Sequence, residues 1–172
     1  HKIYGIAPGA PANQNIKKML DKQDFGLQGW SLVESSESGM LAQVARAESR
    51  HEWVVFLGWE PHAMNTRWKL RYLSGGDAWF GPNYGSATVN TVTRNGFAEQ
   101  CPNVNRLFRQ LTFDVNLENA IITRVLDNKQ SPTEAAKAEL IKRPALLNDW
   151  LAGVTDRKGQ PALGVVKQAL GI

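Results

Sequence analysis

Two places in this sequence combine residue types that could recognise a small charged molecule. The first is Pro8-Gly9-Ala10-Pro11, a break between an alternating β-prone stretch, Lys2 to Ala7, and a stretch with helical spacing, Ala12 to Lys22, through Ile16, Met19 and Leu20. A strand ending at such a turn and opening into a helix aims backbone N–H groups and the positive end of the helix dipole into the crevice at the sheet's carboxyl edge. That corner suits an anion or a carboxylate. Pro11 has no N–H, so the expected donors are the amides of Gly9, Ala10, Ala12 and Asn13. Every α/β protein has turns of this kind and most bind nothing, so the turn alone assigns no function. The second place is Gly58-Trp59-Glu60-Pro61-His62, where an apolar run leaves the sheet. An indole projecting from there offers the best protein surface for a cation, contributing about 0.5 to 2 kcal/mol per ring to a desolvated quaternary ammonium. Core packing is the ordinary role of tryptophan and the expectation for Trp30, Trp53, Trp68 and Trp150, which sit within strand or helix patterns.

Catalytic chemistry finds less support. His1, His51 and His62 show neither H-E-x-x-H spacing nor any metal-ligand pattern, and no G-x-S-x-G elbow or phosphate-binding loop occurs. A hydrolase built on Glu60 and His62 is the one catalytic pairing to weigh, and no enzyme is expected. Cys101 stands alone, so it forms no internal disulfide; with no C-x-x-C or Cys/His cluster, no metal or cofactor is expected. The bland expectation for Cys101 is a small buried apolar residue.

The elements that must hold these residues follow from the patterning. The 172 residues, 42% hydrophobic and 21% charged, exclude disorder and coiled coil. Apolar runs such as Trp53-Val54-Val55-Phe56-Leu57 are too short to span a bilayer. The net charge of +4 is spread as Lys17-Lys18, Arg67/Lys69/Arg71, Lys142-Arg143 and Arg157-Lys158, each near acids, which forms no stripe for tracking phosphates. Nucleic acid is not an expected partner. No signal-peptide pattern opens the chain; Lys2-Ile3-Tyr4-Gly5-Ile6 reads as a sequence cut just before a strand, with His1 a tag remnant.

After the first strand and helix, Trp30 to Val33 reads as a second strand. Ser35 or Ser36 caps a helix over Glu37 to Ser49, and Glu52 to Gly58 is a buried, parallel strand. This alternation implies an open α/β sheet. Ser74 to Ser86 is a Gly-rich loop, and Ala87 to Arg94, β-branched and alternating, is expected to be a further strand. Helices follow over roughly Cys101 to Leu111, Leu117 to Leu126, Pro132 to Lys142, Pro144 to Ala152 and Ala162 to Leu170, several with proline near their starts. The expected division is an α/β lobe over 1–88 and a strand plus helical segment over 89–172. Amphipathic helices of this kind need something to cover their apolar faces.

Four stretches carry a resemblance: Lys2-Ile3-Tyr4-Gly5-Ile6-Ala7-Pro8-Gly9, Glu34-Ser35-Ser36-Glu37-Ser38-Gly39-Met40-Leu41, Phe56-Leu57-Gly58-Trp59-Glu60-Pro61-His62-Ala63-Met64-Asn65 and Glu99-Gln100-Cys101-Pro102-Asn103-Val104. Together, in this order, they resemble the substrate-binding proteins of ABC importers for glycine betaine, choline and carnitine. The resemblance implies a type II periplasmic-binding-protein fold, a clamshell closing around a quaternary ammonium held in a box of aromatic rings. It implies that this chain is a truncated clamshell: the second lobe to about Ser86, then the returning strand and C-terminal helices that complete the first lobe. By position, Trp59 matches the second-lobe tryptophan of the box. Ala10 falls where relatives place a polar or aromatic contact, which leaves the solute's carboxylate or hydroxyl to the amides of Gly9 to Asn13, or to His62 or Asn65. The resemblance further implies a membrane permease as partner, a periplasmic or otherwise extracytoplasmic location, and a cysteine outside this chain as the mate of Cys101. The alternative expectation is an interaction module on the same lobe, a homodimer through its C-terminal helices, with no role in transport.

Overall fold

The computed structural model describes residues 1–172. In chain order the first elements are β1 (Lys2–Tyr4), α1 (Pro11–Asp21), a 3-10 turn (Asp24–Gly26), β2 (Ser31–Val33), α2 (Glu37–Ser49) and β3 (Val55–Phe56). Four single-turn helices follow: α3 (Met64–Arg67), α4 (Asp77–Phe80), α5 (Pro82–Gly85) and α6 (Phe97–Gln100). The longer helices α7 (Pro102–Gln110), α8 (Val115–Leu126), α9 (Pro132–Lys142), α10 (Pro144–Trp150) and α11 (Ala162–Leu170) complete the chain. It divides into two units, one of His1–Trp59 with Leu70–Ala87, the other of Glu60–Lys69 with Thr88–Ile172.

The first unit is built on a three-stranded sheet in the order β2-β1-β3, with both pairings parallel. Parallel neighbours need crossovers, and α1 and α2 supply them. The regular strands are shorter than the apolar runs that encode them, yet main-chain pairing continues past their ends. Gly5 N donates to Val33 O at 2.9 Å, Ser35 N to Ile6 O at 3.2 Å and Leu57 N to Tyr4 O at 2.8 Å. Helix α2 starts at Ser36, whose side chain accepts from Gly39 N, and buries Met40 and Val44. Helix α1 has Pro11 in its first turn, no side-chain cap at Ala10, and buries Asn13 and Ile16.

Several expectations fail here. Trp53 does not pack in the core; it is fully exposed, because the strand begins only at Val55. Ala87 to Arg94 forms no strand, and Val89 and Val92 stand in solvent. Alternation marks a segment able to pair, but a strand exists only where a neighbour takes its N–H and C=O groups, and no strand of this chain does so. Trp150 is buried as expected, while Trp30 and Trp68 are half-buried. Cys101 is a free thiol, half-buried rather than buried.

In the second unit Leu117, Ala135, Leu147, Trp150, Val154 and Ala162 are buried. Helix α9 opens with a capping box in which Ser131 and Glu134 satisfy each other's amides. Its far end carries a buried carboxylate, Glu139, bonded by Arg124 of α8 and by Arg143, with Lys142 Nζ at 3.5 Å. Burial pushes the Glu139 carboxyl up, but the hydrogen bonds from Arg124 and Arg143 outweigh it and bring the pKa down to about 2. A folded-state value below the unfolded one stabilises above the unfolded pKa, and the contribution is lost as pH falls from about 4.5 toward about 2. Glu139→Gln is therefore expected to cost about 2–3 kcal/mol at pH 7, with the difference from the unaltered protein shrinking in denaturant titrations taken stepwise to pH 3.

Candidate functional site

Three strand ends meet at one edge of the sheet. In the order β2-β1-β3 the chain leaves β1 toward β2, and β3 lies on the other side, so the reversal of connection direction falls between β1 and β3. Crevices for ligands form outside the carboxyl ends of strands at such a reversal. The segment after β1 is the turn through Gly9, and the segment after β3 carries Trp59. Because the pairing is parallel, both emerge at the same edge.

The turn is held from inside. Asn13 is fully buried, and its carboxamide accepts from Ile6 N at 3.1 Å. Its Nδ2 lies 2.9 Å from Ile6 O, 3.1 Å from Ala7 O and 3.0 Å from Glu34 Oε1. The close approach requires a glycine at position 5, where a Cβ would sit 2.5 Å from Asn13 Oδ1. Sequence spacing marked only the main-chain N–H of Asn13; the side chain proves to be the staple of the corner.

Glu34, the residue after β2, supplies the charge. It accepts from Lys17 Nζ at 2.9 Å and from Asn13 Nδ2 at 3.0 Å. The Lys17 hydrogen bond, above all, holds its carboxyl below the usual carboxylate range, with Asn13 and Gly9 acting in the same direction. Of the four amides expected as donors, that of Ala10 is committed to Ala7 O at 3.1 Å. Those of Ala12 and Asn13, in the first turn of α1, have no acceptor within the helix. Neither Glu34 nor Lys17 was singled out from the sequence. The signal for Glu34 was positional, since it leaves a strand at the same edge as Gly9 and Trp59.

Trp59 is half-buried, neither sealed in the core nor free of it. The residue before it, Gly58, lies against Tyr72: a Cβ there would stand 3.4 Å from the ring. Tyr72 in turn meets Tyr84 edge-on with ring centres 6.3 Å apart. The sheet edge therefore carries aromatic surface past one strand end and a carboxylate, paired with Lys17, past another; an aromatic face of this kind suits an organic cation.

His62 and Asn65 belong to the other unit. The His62 imidazole is buried, its Nδ1 accepts from Met64 N at 3.0 Å, and its main-chain N donates to Asn119 Oδ1 at 2.7 Å. Asn65 Nδ2 donates to His62 O at 3.1 Å. The Met64 and Asn65 bonds close the turn that starts α3, and the Asn119 bond ties it to α8. Glu60 is exposed. No group of three or more His, Cys, Asp or Glu side chains is placed to hold a metal ion, and no helix is long and apolar enough to cross a membrane.

Comparison with known proteins gives concordant matches. Residues 1–141 match the family described as the substrate binding domain of ABC-type glycine betaine transport systems. Over 157 residues the chain is 27% identical to the glycine betaine/carnitine transport binding protein GbuC of Listeria monocytogenes serotype 1/2a (strain 10403S), spanning 90% of this chain and 50% of that protein. Among solved structures, an ABC-transporter choline binding protein in complex with choline superposes with a TM-score of 0.69 at 51% identity, covering 99% of this chain and 59% of that one. Lactococcal OpuAC, closed around glycine betaine, gives a TM-score of 0.63 at 28% identity, covering 87% of this chain and 57% of that one. The chain thus spans between half and three-fifths of the length of these relatives. Their fold is that of type II periplasmic binding proteins, and they are solute-binding proteins, not enzymes.

Proposed function

The chain belongs to the family of substrate-binding domains of ABC-type glycine betaine transport systems, and from that premise we propose that it binds a quaternary ammonium solute on the indole of Trp59. The supporting observation is the half-buried Trp59 at the sheet edge where the β1 turn also emerges. The solute is of the choline, glycine betaine and carnitine class. Its trimethylammonium head is loosely hydrated and exchanges water for an aromatic face, while its tail reaches toward the corner of Ala10, Ala12 and Asn13. In the whole protein, lobe closure expels water from both ends of the solute, and the liganded receptor delivers it to the membrane permease outside the cytoplasm.

A single ring contributes about 0.5 to 2 kcal/mol, against the roughly 8 kcal/mol that micromolar affinity demands. This chain is therefore expected to bind weakly: Trp59 fluorescence stays flat at micromolar choline, glycine betaine or carnitine and responds at millimolar concentrations. A flat response to all three at about 100 mM overturns the reading.

The homodimeric module is the second reading. In its favour is an open, mainly apolar hollow in the second unit, lined by Pro61, Val89, Phe113, Ile121 and Ile122 together with Glu118. A monomeric mass by light scattering, across the concentrations used for titration, removes it.

A further inference from the structure

The first turn would ordinarily be the corner where a solute's carboxylate finds main-chain donors. Here the protein has already placed a carboxylate beside those donors. Pro11 has no N–H, the Ala10 amide is spent on Ala7 O, and Asn13 Nδ2 is bonded to the Glu34 carboxylate. The amides of Ala12 and Asn13 remain at the start of α1, beside a carboxylate that the protein has already placed there. Lys17 meets Glu34 through Oε2, while the other oxygen, Oε1, is turned to Asn13.

We propose that Glu34 is a specificity-determining residue: it occupies the turn's anion-binding corner from within, so this lobe takes a quaternary ammonium with a neutral, hydroxyl-bearing tail in preference to a zwitterion with a carboxylate tail. The inference rests on the quaternary ammonium reading above and narrows it. Two like charges at one corner repel each other, and the incoming carboxylate finds no free donor at Ala10 to replace its water. A hydroxyl tail carries no charge to be repelled and can donate a hydrogen bond to a carboxylate oxygen. The aromatic face of Trp59 serves both solutes alike, because both carry the same trimethylammonium head. Discrimination therefore falls to the tail.

The test is a pair of titrations, choline and glycine betaine, on the unaltered chain, Glu34→Gln and Lys17→Met, followed by amide chemical shifts at millimolar ligand. The unaltered chain is expected to favour choline by about fivefold or more. Glu34→Gln keeps an acceptor for Asn13 and removes the charge; it is expected to bring the two affinities to within about twofold, by strengthening betaine binding rather than by losing choline. Lys17→Met leaves the carboxylate without its cation and is expected to widen the preference. Equal affinities in the unaltered chain, a preference for glycine betaine, or an equal weakening of both ligands in Glu34→Gln, as a purely structural role would give, overturns the assignment while leaving the quaternary ammonium reading standing. Absence of binding by either solute to the unaltered chain overturns both.

Discussion

Trp59→Ala is expected to abolish the millimolar response to choline and glycine betaine, a loss of at least about tenfold in affinity, while the denaturation midpoint moves little. The ring is half-buried at the point where β3 releases the chain, so removing it takes away less of the core than removing a fully enclosed side chain does. Its loss costs the cation–π term, about 0.5 to 2 kcal/mol, together with the apolar area that shields the trimethylammonium from water. Trp59→Phe separates these terms: a smaller ring with a weaker face should retain part of the response. Amide chemical shifts provide the measurement, since they report ligand binding without depending on the indole fluorescence that the substitution removes. Binding by Trp59→Ala indistinguishable from that of the unaltered chain would move the recognition surface elsewhere.

Asn13→Ala is expected to be the most destabilising single change at the corner, at about 2–4 kcal/mol, or about 5–15 °C in melting temperature. The carboxamide is fully buried and bonded to Ile6 on both its N–H and C=O sides, to Ala7 and to Glu34. Truncation orphans those groups in a space that glycine at position 5 keeps too tight for rearrangement. Asn13→Asp distinguishes shape from hydrogen bonding. It fills the same volume but places an acceptor against Ile6 O, Ala7 O and the Glu34 carboxylate, and is expected to destabilise as much as alanine. Thermal melts and denaturant titrations of the three proteins decide the matter, and near-equal stability of all three would show that the turn holds itself without Asn13.

Most helices were legible because a helix closes its hydrogen bonds within one turn. Glu37 to Ser49, Pro132 to Lys142 and Ala162 to Leu170 follow from local spacing, a serine cap or a proline at the start, and the observed helices coincide with them. Strands close their bonds on distant partners, so alternation reveals only the ability to pair. Lys2 to Tyr4 pairs on both sides and becomes the central strand; Ala87 to Arg94, with an equally good pattern, pairs with nothing and stays exposed. Trp53 shows the same limit, since its place in an apolar run says nothing about where the sheet begins.

The amino-acid order by itself determined the strand–turn–helix alternation, the positions of Gly9 and Trp59 past strand ends, and the motifs that mark the family. All of these depend on neighbours along the chain. Only the tertiary structure decided what the corner has left to offer: Glu34 arrives from β2 to meet Asn13 and Lys17, Asn13 turns its side chain inward to hold the turn, and His62 and Asn65 close a turn in the other unit. Which donors remain open to a solute is set by partners far away in sequence, because a hydrogen bond already made inside the protein is closed to anything arriving from outside.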